Sequence, residues 1–287
     1  MVLPEINTET RFVTLLGTPL GQSYAAGMQN RVYAAMGLNM VYFYTETDAR
    51  RLPEIVAGLR HMPFAGFAVT KPNKIAILPL LDRLDPICAA VGACNTVVFT
   101  PGGQLVGYNT DADGFLSALR EETGFEIPGS EVFCIGAGGV GRAVCAALTF
   151  HGARRIHITD ISEASARALA DSLEKTVSVA VHPPGDYGGI EDCGLVVNAS
   201  GVGMGDTAGT SPLPSQYINR HTLYYDCCYN PPRTRFLQDA EQAGAAAVNG
   251  LGMSLWQGAR QIELWSGQRP PMELMRQALR EAAAAPF

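Results

Sequence analysis

A glycine-rich turn directly follows an apolar run in the middle of the chain. The run Glu131–Ile135 reads Glu-Val-Phe-Cys-Ile, and residues 136–141 read Gly-Ala-Gly-Gly-Val-Gly. We interpret the run as a buried parallel strand and residues 142–148 as part of the helix that the turn opens. A second apolar run, 156–159, ends at Asp160. This order of strand, Gly-x-Gly-x-x-Gly, helix, strand and acid predicts a doubly wound, Rossmann-type domain that binds a dinucleotide.

The positions of the turn have separate physical roles. Gly136 permits the sharp turn out of the strand, Gly138 leaves room for a pyrophosphate beside the backbone, and Gly141 allows close packing of helix on sheet. The first N–H groups of the helix then face the phosphates. We therefore add Gly139 and Val140 to the predicted cofactor-binding residues.

The acid after the second strand bears on which dinucleotide is bound. Asp160 is expected to accept hydrogen bonds from an adenine ribose with two free hydroxyls and to repel a 2′-phosphate. The sequence therefore predicts NAD in preference to NADP. The alternative to a dinucleotide site is a tight turn of an α/β sheet that binds no ligand. Asp160 would then only precede a helix that is N-capped by Ser162.

The composition is that of a compact enzyme with two domains. The chain has 287 residues, of which 47% are hydrophobic and 17% charged, and this excludes a disordered chain. The net charge of −6, without a basic run, argues against nucleic-acid binding. Scattered cysteines are typical of reduced thiols in a cytoplasmic protein, and the adjacent Cys227 and Cys228 lack metal-ligand spacing, so we assign no metal site. We predict neither a signal peptide nor a membrane span.

Apolar runs alternate with helical patterns on both sides of the turn. Before it, the predicted strands are 12–16, 41–44, 64–69, 94–99 and 104–107, and the predicted helices are 25–36, 49–59, 74–81, 86–91 and 111–123. After it, the remaining predicted strands are 177–182, 194–198, 223–226 and 245–248, and the last predicted helices are 253–265 and 272–284. We expect an α/β protein in which 1–112 and 250–287 form a substrate domain with a mixed or parallel sheet, and 113–249 form the NAD-binding Rossmann domain.

Seven further segments carry polar or glycine motifs. They are 17–23 (Gly-Thr-Pro-Leu-Gly-Gln-Ser), 69–74 (Val-Thr-Lys-Pro-Asn-Lys), 92–96 (Gly-Ala-Cys-Asn-Thr), 107–114 (Gly-Tyr-Asn-Thr-Asp-Ala-Asp-Gly), 198–204 (Asn-Ala-Ser-Gly-Val-Gly-Met), 225–231 (Tyr-Asp-Cys-Cys-Tyr-Asn-Pro) and 249–253 (Asn-Gly-Leu-Gly-Met). The first four lie at or beyond strand ends, where open α/β sheets bind ligands. With these motifs in this order, the chain resembles the shikimate/quinate dehydrogenase family over nearly its whole length.

The resemblance implies a catalytic pair. Lys74 matches the family's lysine, which acts as general base in oxidation of a ring hydroxyl and as general acid in reduction, and Asp111 matches its acidic partner. Such chemistry needs a positioned base, because the hydroxyl proton must leave with the hydride. We expect Lys74 to be partly buried. The alternatives are a solvated lysine at a helix start, with Lys71 equally eligible outside the motif, and a helix N-cap for Asp111.

The resemblance also implies the residues that line the two ligand sites. The polar contacts to the substrate are Ser23, Thr70, Asn95, Tyr229 and Gln257. On the cofactor side are Ala199, Met204, Gly250 and Met253, with the two methionines near the nicotinamide. Taken singly, most of these residues are better explained as turn, cap or core residues, whereas the ordered set favours a site.

The chain departs from the family pattern in its first motif. Ala25 stands where the family has a second serine or threonine, so one hydroxyl for a substrate carboxylate is missing. Tyr24 and Gln22 are candidates to compensate, and a different substrate is the alternative. Lys71 and Asn73 also replace residues that are commonly apolar or aromatic, and the extra cation favours an anionic substrate. The arginine that grips a 2′-phosphate in NADP-using members is missing after the second strand, which agrees with NAD.

We therefore expect an NAD-dependent oxidoreductase that interconverts shikimate and 3-dehydroshikimate, as in aromatic amino acid biosynthesis, or quinate and 3-dehydroquinate. Three alternatives remain: a relative acting on another cyclic hydroxy acid, a catalytically silent sensor that binds NAD or a ring acid, and the methylene-tetrahydrofolate dehydrogenase type of two-domain fold. Retention of both Lys74 and Asp111 argues against the sensor. The partner is a small molecule, and the protein is expected to be a monomer or a homodimer.

Overall fold

The computed structural model describes residues 5–21 and 23–284 of the chain. Gln22, a candidate to compensate for Ala25, lies outside the described residues. The chain folds as two units. The first extends to Thr110 and resumes at Leu255, and the second comprises Asp111–Ser254.

The secondary structure follows the predicted alternation. In chain order the strands are β1 (Arg11–Gly17), β2 (Met40–Glu46), β3 (Phe64–Val69), β4 (Arg83–Leu84), β5 (Thr96–Phe99), β6 (Leu105–Tyr108), β7 (Glu131–Ile135), β8 (Arg155–Thr159), β9 (Ser178–His182), β10 (Leu195–Asn198), β11 (Leu223–Asp226) and β12 (Ala246–Asn249). The helices are α1 (Ala25–Ala35), α2 (Leu52–Leu59), α3 (Asn73–Ala76), α4 (Pro86–Val91), α5 (Thr110–Thr123), α6 (Gly139–Phe150), α7 (Glu163–Leu173), α8 (Arg235–Gln242), α9 (Leu251–Ser266) and α10 (Met272–Ala284).

The sheet of the first unit is mixed, with strand order β2-β1-β3-β5-β6-β4. Strand β1 pairs in parallel with β2 and β3, whereas β5 is antiparallel to both β3 and β6. Every residue of β3 is buried, as expected for a central strand covered on both faces. Because β5 runs the opposite way, its first residues lie beside the last residues of β3 and β6.

The sheet of the second unit has the order β12-β11-β10-β7-β8-β9, and all its pairings are parallel. Counted from β7, this is the 3-2-1-4-5-6 order of a Rossmann domain. The order reverses between β7 and β10, and ligands of such sheets bind at the strand ends beside that reversal. The predicted α/β fold with a Rossmann-type domain is therefore confirmed.

Two predicted helices differ in extent for local reasons. The pattern over 74–81 forms only α3 and a separate 3₁₀ turn, Leu78–Leu80, because Pro79 cannot donate the hydrogen bond that would continue the helix. Helix α2 begins at Leu52 rather than residue 49, because the Asp48 carboxylate accepts the backbone N–H groups of Arg50 and Arg51 in a turn. The two-residue strand β4 was not predicted.

The C-terminal segment is anchored to the first sheet by buried polar contacts. The Trp265 indole Nε1 donates to the Val97 carbonyl at 2.9 Å, and a Cβ at Gly66 would lie 2.3 Å from the same nitrogen. The Gln261 amide donates to the Thr96 hydroxyl at 2.9 Å. These contacts explain why helix α9, from Leu255 onward, belongs to the same unit as the chain up to Thr110. None of the helices in the described part of the chain has the length and apolarity that a membrane crossing requires.

Candidate active site

In the first unit, the predicted substrate segments converge at one edge of the sheet. Parallel strands β1, β2 and β3 end there. The pairs Ala68↔Thr96 and Thr96↔Tyr108 place the start of β5 and the end of β6 at the same edge. The residues before β5 and after β6 therefore meet those after β1 and β3.

Backbone hydrogen bonds tie these segments together. Thr18 N–H donates to the Lys71 carbonyl at 3.1 Å, and Cys94 N–H donates to the Lys74 carbonyl at 2.8 Å. A Cβ at Gly17 would lie 2.3 Å from the Thr70 methyl carbon, so the first loop and the lysine motif are in direct contact. Lys74 is partly buried and Lys71 is exposed. The main chain around Lys74 is thus held from two neighbouring segments.

Asn95 belongs to a buried polar network at this edge. The residue is 3% exposed. Its side-chain oxygen accepts the Thr110 N–H at 2.8 Å and the Thr96 hydroxyl at 2.9 Å. Ser23, Thr70 and Gln257 are partly buried residues of the same unit.

In the second unit, the glycine-rich turn follows β7 at the reversal of strand order. Gly136 has φ +111°, and a Cβ there would lie 2.6 Å from the Ser200 nitrogen, so only glycine fits. A Cβ at Gly141 would lie 1.9 Å from the Gly136 carbonyl oxygen. A Cβ at Gly138 would have no atom within 4 Å. The first and third glycines thus serve the fold, while the second leaves open space at the N-terminus of α6.

The Asp160 carboxylate is hydrogen-bonded to backbone on both sides. One oxygen accepts the Ala137 N–H at 2.7 Å, and the other accepts the Ser162 N–H at 2.8 Å. The carboxylate therefore links the glycine-rich turn to the loop before α7 through one hydrogen bond to each. The predicted N-cap at Ser162 is also present, since its hydroxyl accepts the Ser165 N–H.

A buried carboxylate that sequence reasoning missed connects the loops after β10 and β11. The Asp226 side chain accepts hydrogen bonds from the Thr234 hydroxyl at 2.5 Å, the Asn198 amide at 2.8 Å and the Cys228 N–H at 2.9 Å. The residue is fully buried, and this burial raises the pKa of the Asp226 carboxyl to about 6 although the hydrogen bonds act in the opposite direction. The signal in the sequence was an acid at the end of an apolar run, within the segment 225–231 that also carries Tyr229.

Wild type is expected to lose stability relative to an Asp226→Asn variant as the pH rises from about 4 to 7. The pKa of Asp226 is about 6 in the fold, above its ordinary 3.8. The carboxyl therefore contributes most stability below its unfolded pKa and loses that contribution as the pH rises through the folded pKa. The free energy of unfolding, wild type minus variant, should fall by about 2 kcal/mol across this range. Urea titrations at several pH values measure it; a constant difference would mean that Asp226 stays ionised.

The remaining predicted residues occupy several environments. Asp111 is 5% exposed in the first turn of α5 and Met253 is 6% exposed in α9. Tyr229, Met204 and Ala199 are partly buried in the loops after β11 and β10.

Gly250 packs on backbone, because a Cβ there would lie 2.4 Å from the Cys227 carbonyl oxygen. Lys74 belongs to the first unit and Asp111 to the second.

Known proteins resemble this chain over almost its full length. A curated relative from Methanopyrus kandleri, named shikimate dehydrogenase (NADP(+)), is 39% identical over 96% of this chain and 97% of its own. The crystal structure of shikimate 5-dehydrogenase from Listeria monocytogenes in complex with shikimate and NAD has a TM-score of 0.87, with 32% identity over 97% of this chain and 99% of its own. Quinate dehydrogenase from Corynebacterium glutamicum in complex with NAD has a TM-score of 0.84, with 29% identity over 95% and 99%.

The expected preference for NAD is wrong. Seven further curated relatives, 36–38% identical, carry the same NADP(+)-dependent name. The inference rested on Asp160 as a ribose ligand that repels a 2′-phosphate. In the structure both oxygens of that carboxylate bind backbone N–H groups, so an acid at this position has a structural reason to be present and does not identify the cofactor.

Two family models match the ends of the chain. The shikimate dehydrogenase substrate binding domain matches residues 15–97, and the shikimate 5′-dehydrogenase C-terminal domain matches residues 250–280. The first match contains the loops after β1 and β3, and the second contains α9. With relatives that align from end to end, these matches show that the chain belongs to the shikimate/quinate dehydrogenase family.

Proposed function

We propose that this protein catalyses the reversible oxidation of a ring hydroxyl of shikimate to the ketone of 3-dehydroshikimate. The observation that carries the proposal is the lysine motif at the sheet edge where the loops after β1, β3 and β6 meet. Relatives that align end to end are named shikimate dehydrogenases, and this supports the substrate.

A nicotinamide dinucleotide is the proposed hydride carrier. The second unit fits such a cofactor, since open space at Gly138 adjoins the N-terminus of α6, where backbone N–H groups attract phosphates. The proposed cofactor residues are Gly136, Gly138, Gly139, Val140, Gly141, Ala199, Met204, Gly250 and Met253. The names of the curated relatives favour NADP+. When bound, the nicotinamide ring accepts or supplies the hydride.

Lys74 is the proposed general acid–base. In oxidation the neutral amine of Lys74 accepts the proton of the substrate hydroxyl while the hydride leaves the carbon that bears this hydroxyl. In reduction the ammonium returns a proton to the oxygen of the substrate ketone. The Cys94 N–H bond to the Lys74 carbonyl supports the proposal, because a positioned base needs a fixed main chain. Asp111 is proposed as the acidic partner, and Ser23, Thr70, Asn95, Tyr229 and Gln257 as polar contacts to the substrate.

Quinate is the second candidate substrate. Its oxidation to 3-dehydroquinate requires the same proton and hydride transfers. The likeness to quinate dehydrogenase from Corynebacterium glutamicum, at a TM-score of 0.84, favours including it.

The decisive experiment follows the absorbance of the reduced nicotinamide with purified protein. Shikimate and quinate are each tested with NADP+ and with NAD+, and the acid with the higher kcat/KM is the preferred substrate. Turnover of shikimate is the expected result. Absence of turnover with all four pairs, in protein that still binds a dinucleotide, would reject the proposed oxidation and favour a sensor of ring acids.

A further inference from the structure

The loop between β1 and α1 carries the first substrate motif. Compared with the family pattern it lacks one hydroxyl, at Ala25, which is the first residue of α1. In the same loop the Ser23 hydroxyl oxygen accepts the Ala25 N–H at 3.2 Å. Ser23 therefore keeps its own O–H as a donor but shares its oxygen with the helix terminus. A carboxylate at this loop would find one serine donor where the family pattern has two hydroxyls.

A tyrosine from a neighbouring strand supplies a hydroxyl at this place. The Tyr44 hydroxyl donates to the Ser23 carbonyl at 2.7 Å and accepts the Ala26 N–H at 3.1 Å. Its oxygen thus bonds to the residues on both sides of the missing hydroxyl. Tyr44 is 38% exposed, so its phenol oxygen is not sealed in the core.

The position of Tyr44 is set by the packing of α1 on β2. The Asn30 side chain donates to the Tyr42 carbonyl at 2.7 Å and accepts the Tyr42 N–H at 2.8 Å. Because alternate residues of a strand share a face, Tyr44 points to the same side as Tyr42. Helix α1 starts at the strand-end edge of the sheet, so the last tyrosine of β2 reaches its N-terminus.

We infer that the Tyr44 hydroxyl replaces the missing hydroxyl at position 25 and hydrogen-bonds the carboxylate of the ring-acid substrate. The inference rests on the proposed function, whose substrate carries that carboxylate. On binding, the Tyr44 O–H turns from the Ser23 carbonyl to the carboxylate, while the Ala26 N–H continues to donate to the phenol oxygen. The exchange is favourable because a hydrogen bond to a charged acceptor is stronger than one to a neutral carbonyl.

The test compares Tyr44→Phe with wild type on shikimate and on its methyl ester, which lacks the charge. For the acid, KM is expected to rise about fivefold to tenfold in the variant, because wild type exchanges the bond to the neutral Ser23 carbonyl for a stronger bond to the carboxylate and the variant cannot. For the ester, the rise should be at most about twofold, because one neutral hydrogen bond is exchanged for another. The kcat values should change little, since Lys74 is untouched. An equal rise for acid and ester would show a merely structural role and overturn the inference.

Two further variants sharpen the assignment. Ala25→Ser restores the hydroxyl, so it should return most of the lost affinity for shikimate in the Tyr44→Phe background and have a smaller effect in wild type. Tyr24→Phe is the comparison, because Tyr24 is next to Ala25 but only 9% exposed. If Tyr24→Phe rather than Tyr44→Phe raises KM for the acid, the compensating hydroxyl is Tyr24 and the inference is wrong.

Calorimetric binding of shikimate separates this inference from the proposed function. Tyr44-dependent binding without turnover would reject the proposed oxidation and retain the role of Tyr44. Turnover that does not depend on Tyr44 would reject that role and retain the oxidation. Absence of both binding and turnover with shikimate would reject both.

Discussion

A Lys74→Met variant is expected to oxidise shikimate with a kcat about 10²–10⁴-fold below wild type, because the hydroxyl proton then has no positioned acceptor as the hydride leaves. Methionine keeps an unbranched side chain of similar length and removes only the amine. Since Lys74 is partly buried and its main chain is held by the Cys94 N–H, the fold should persist. The measurement is steady-state absorbance of the reduced nicotinamide, with thermal unfolding as the test of folding.

The same motif offers a matched control in Lys71. It is also a lysine, three positions earlier and exposed, and its cation is expected to attract an anionic substrate without taking part in proton transfer. Lys71→Met should therefore raise KM for shikimate and leave kcat within about threefold of wild type. If Lys71→Met lowers kcat as much as Lys74→Met does, the assignment of the base to Lys74 is wrong.

Gly138→Ala is expected to lose dinucleotide affinity, whereas Gly141→Ala is expected to lose stability. A Cβ at Gly138 has open space around it, whereas one at Gly141 would lie 1.9 Å from the Gly136 carbonyl oxygen. Gly138→Ala should therefore keep the stability of wild type but lose at least about tenfold in dinucleotide affinity, because the methyl group occupies the space for the pyrophosphate. Gly141→Ala should lose about 1–3 kcal/mol of stability, because backbone must move to admit the methyl group.

Chemical denaturation and titration with NADP+ measure the two effects. Gly21 offers a control outside the second unit, since a Cβ there also meets no atom within 4 Å, and Gly21→Ala should leave dinucleotide affinity unchanged. Unchanged dinucleotide affinity in Gly138→Ala would refute the assignment of a pyrophosphate to this turn. Wild-type stability in Gly141→Ala would refute the close packing of α6 on the glycine-rich turn.

The second unit could be predicted in detail because its determinants are local. Buried parallel strands are apolar runs, and this pattern predicts β7, β8, β10 and β11. The positions of Gly136 and Gly141 follow from one tight turn, within six residues of chain.

The lysine motif and the Asn-Thr-Asp segment are also short, so the sequence pattern predicts their places after β3 and β6 of the first unit. The family followed from the order of these segments.

The identity of the groups that meet across strand ends depended on the tertiary structure. Asp160 looked like a cofactor ligand, yet its partners are the Ala137 and Ser162 N–H groups. Asp226 joins Asn198, which lies 28 residues earlier, and Tyr44 joins Ser23 across 21 residues. Neighbouring positions along a strand do not specify which strand lies alongside or in which register. Apolar periodicity therefore predicted the helices and strands, and short polar and glycine motifs indicated the family, whereas strand order and register decided which side chain completes each site.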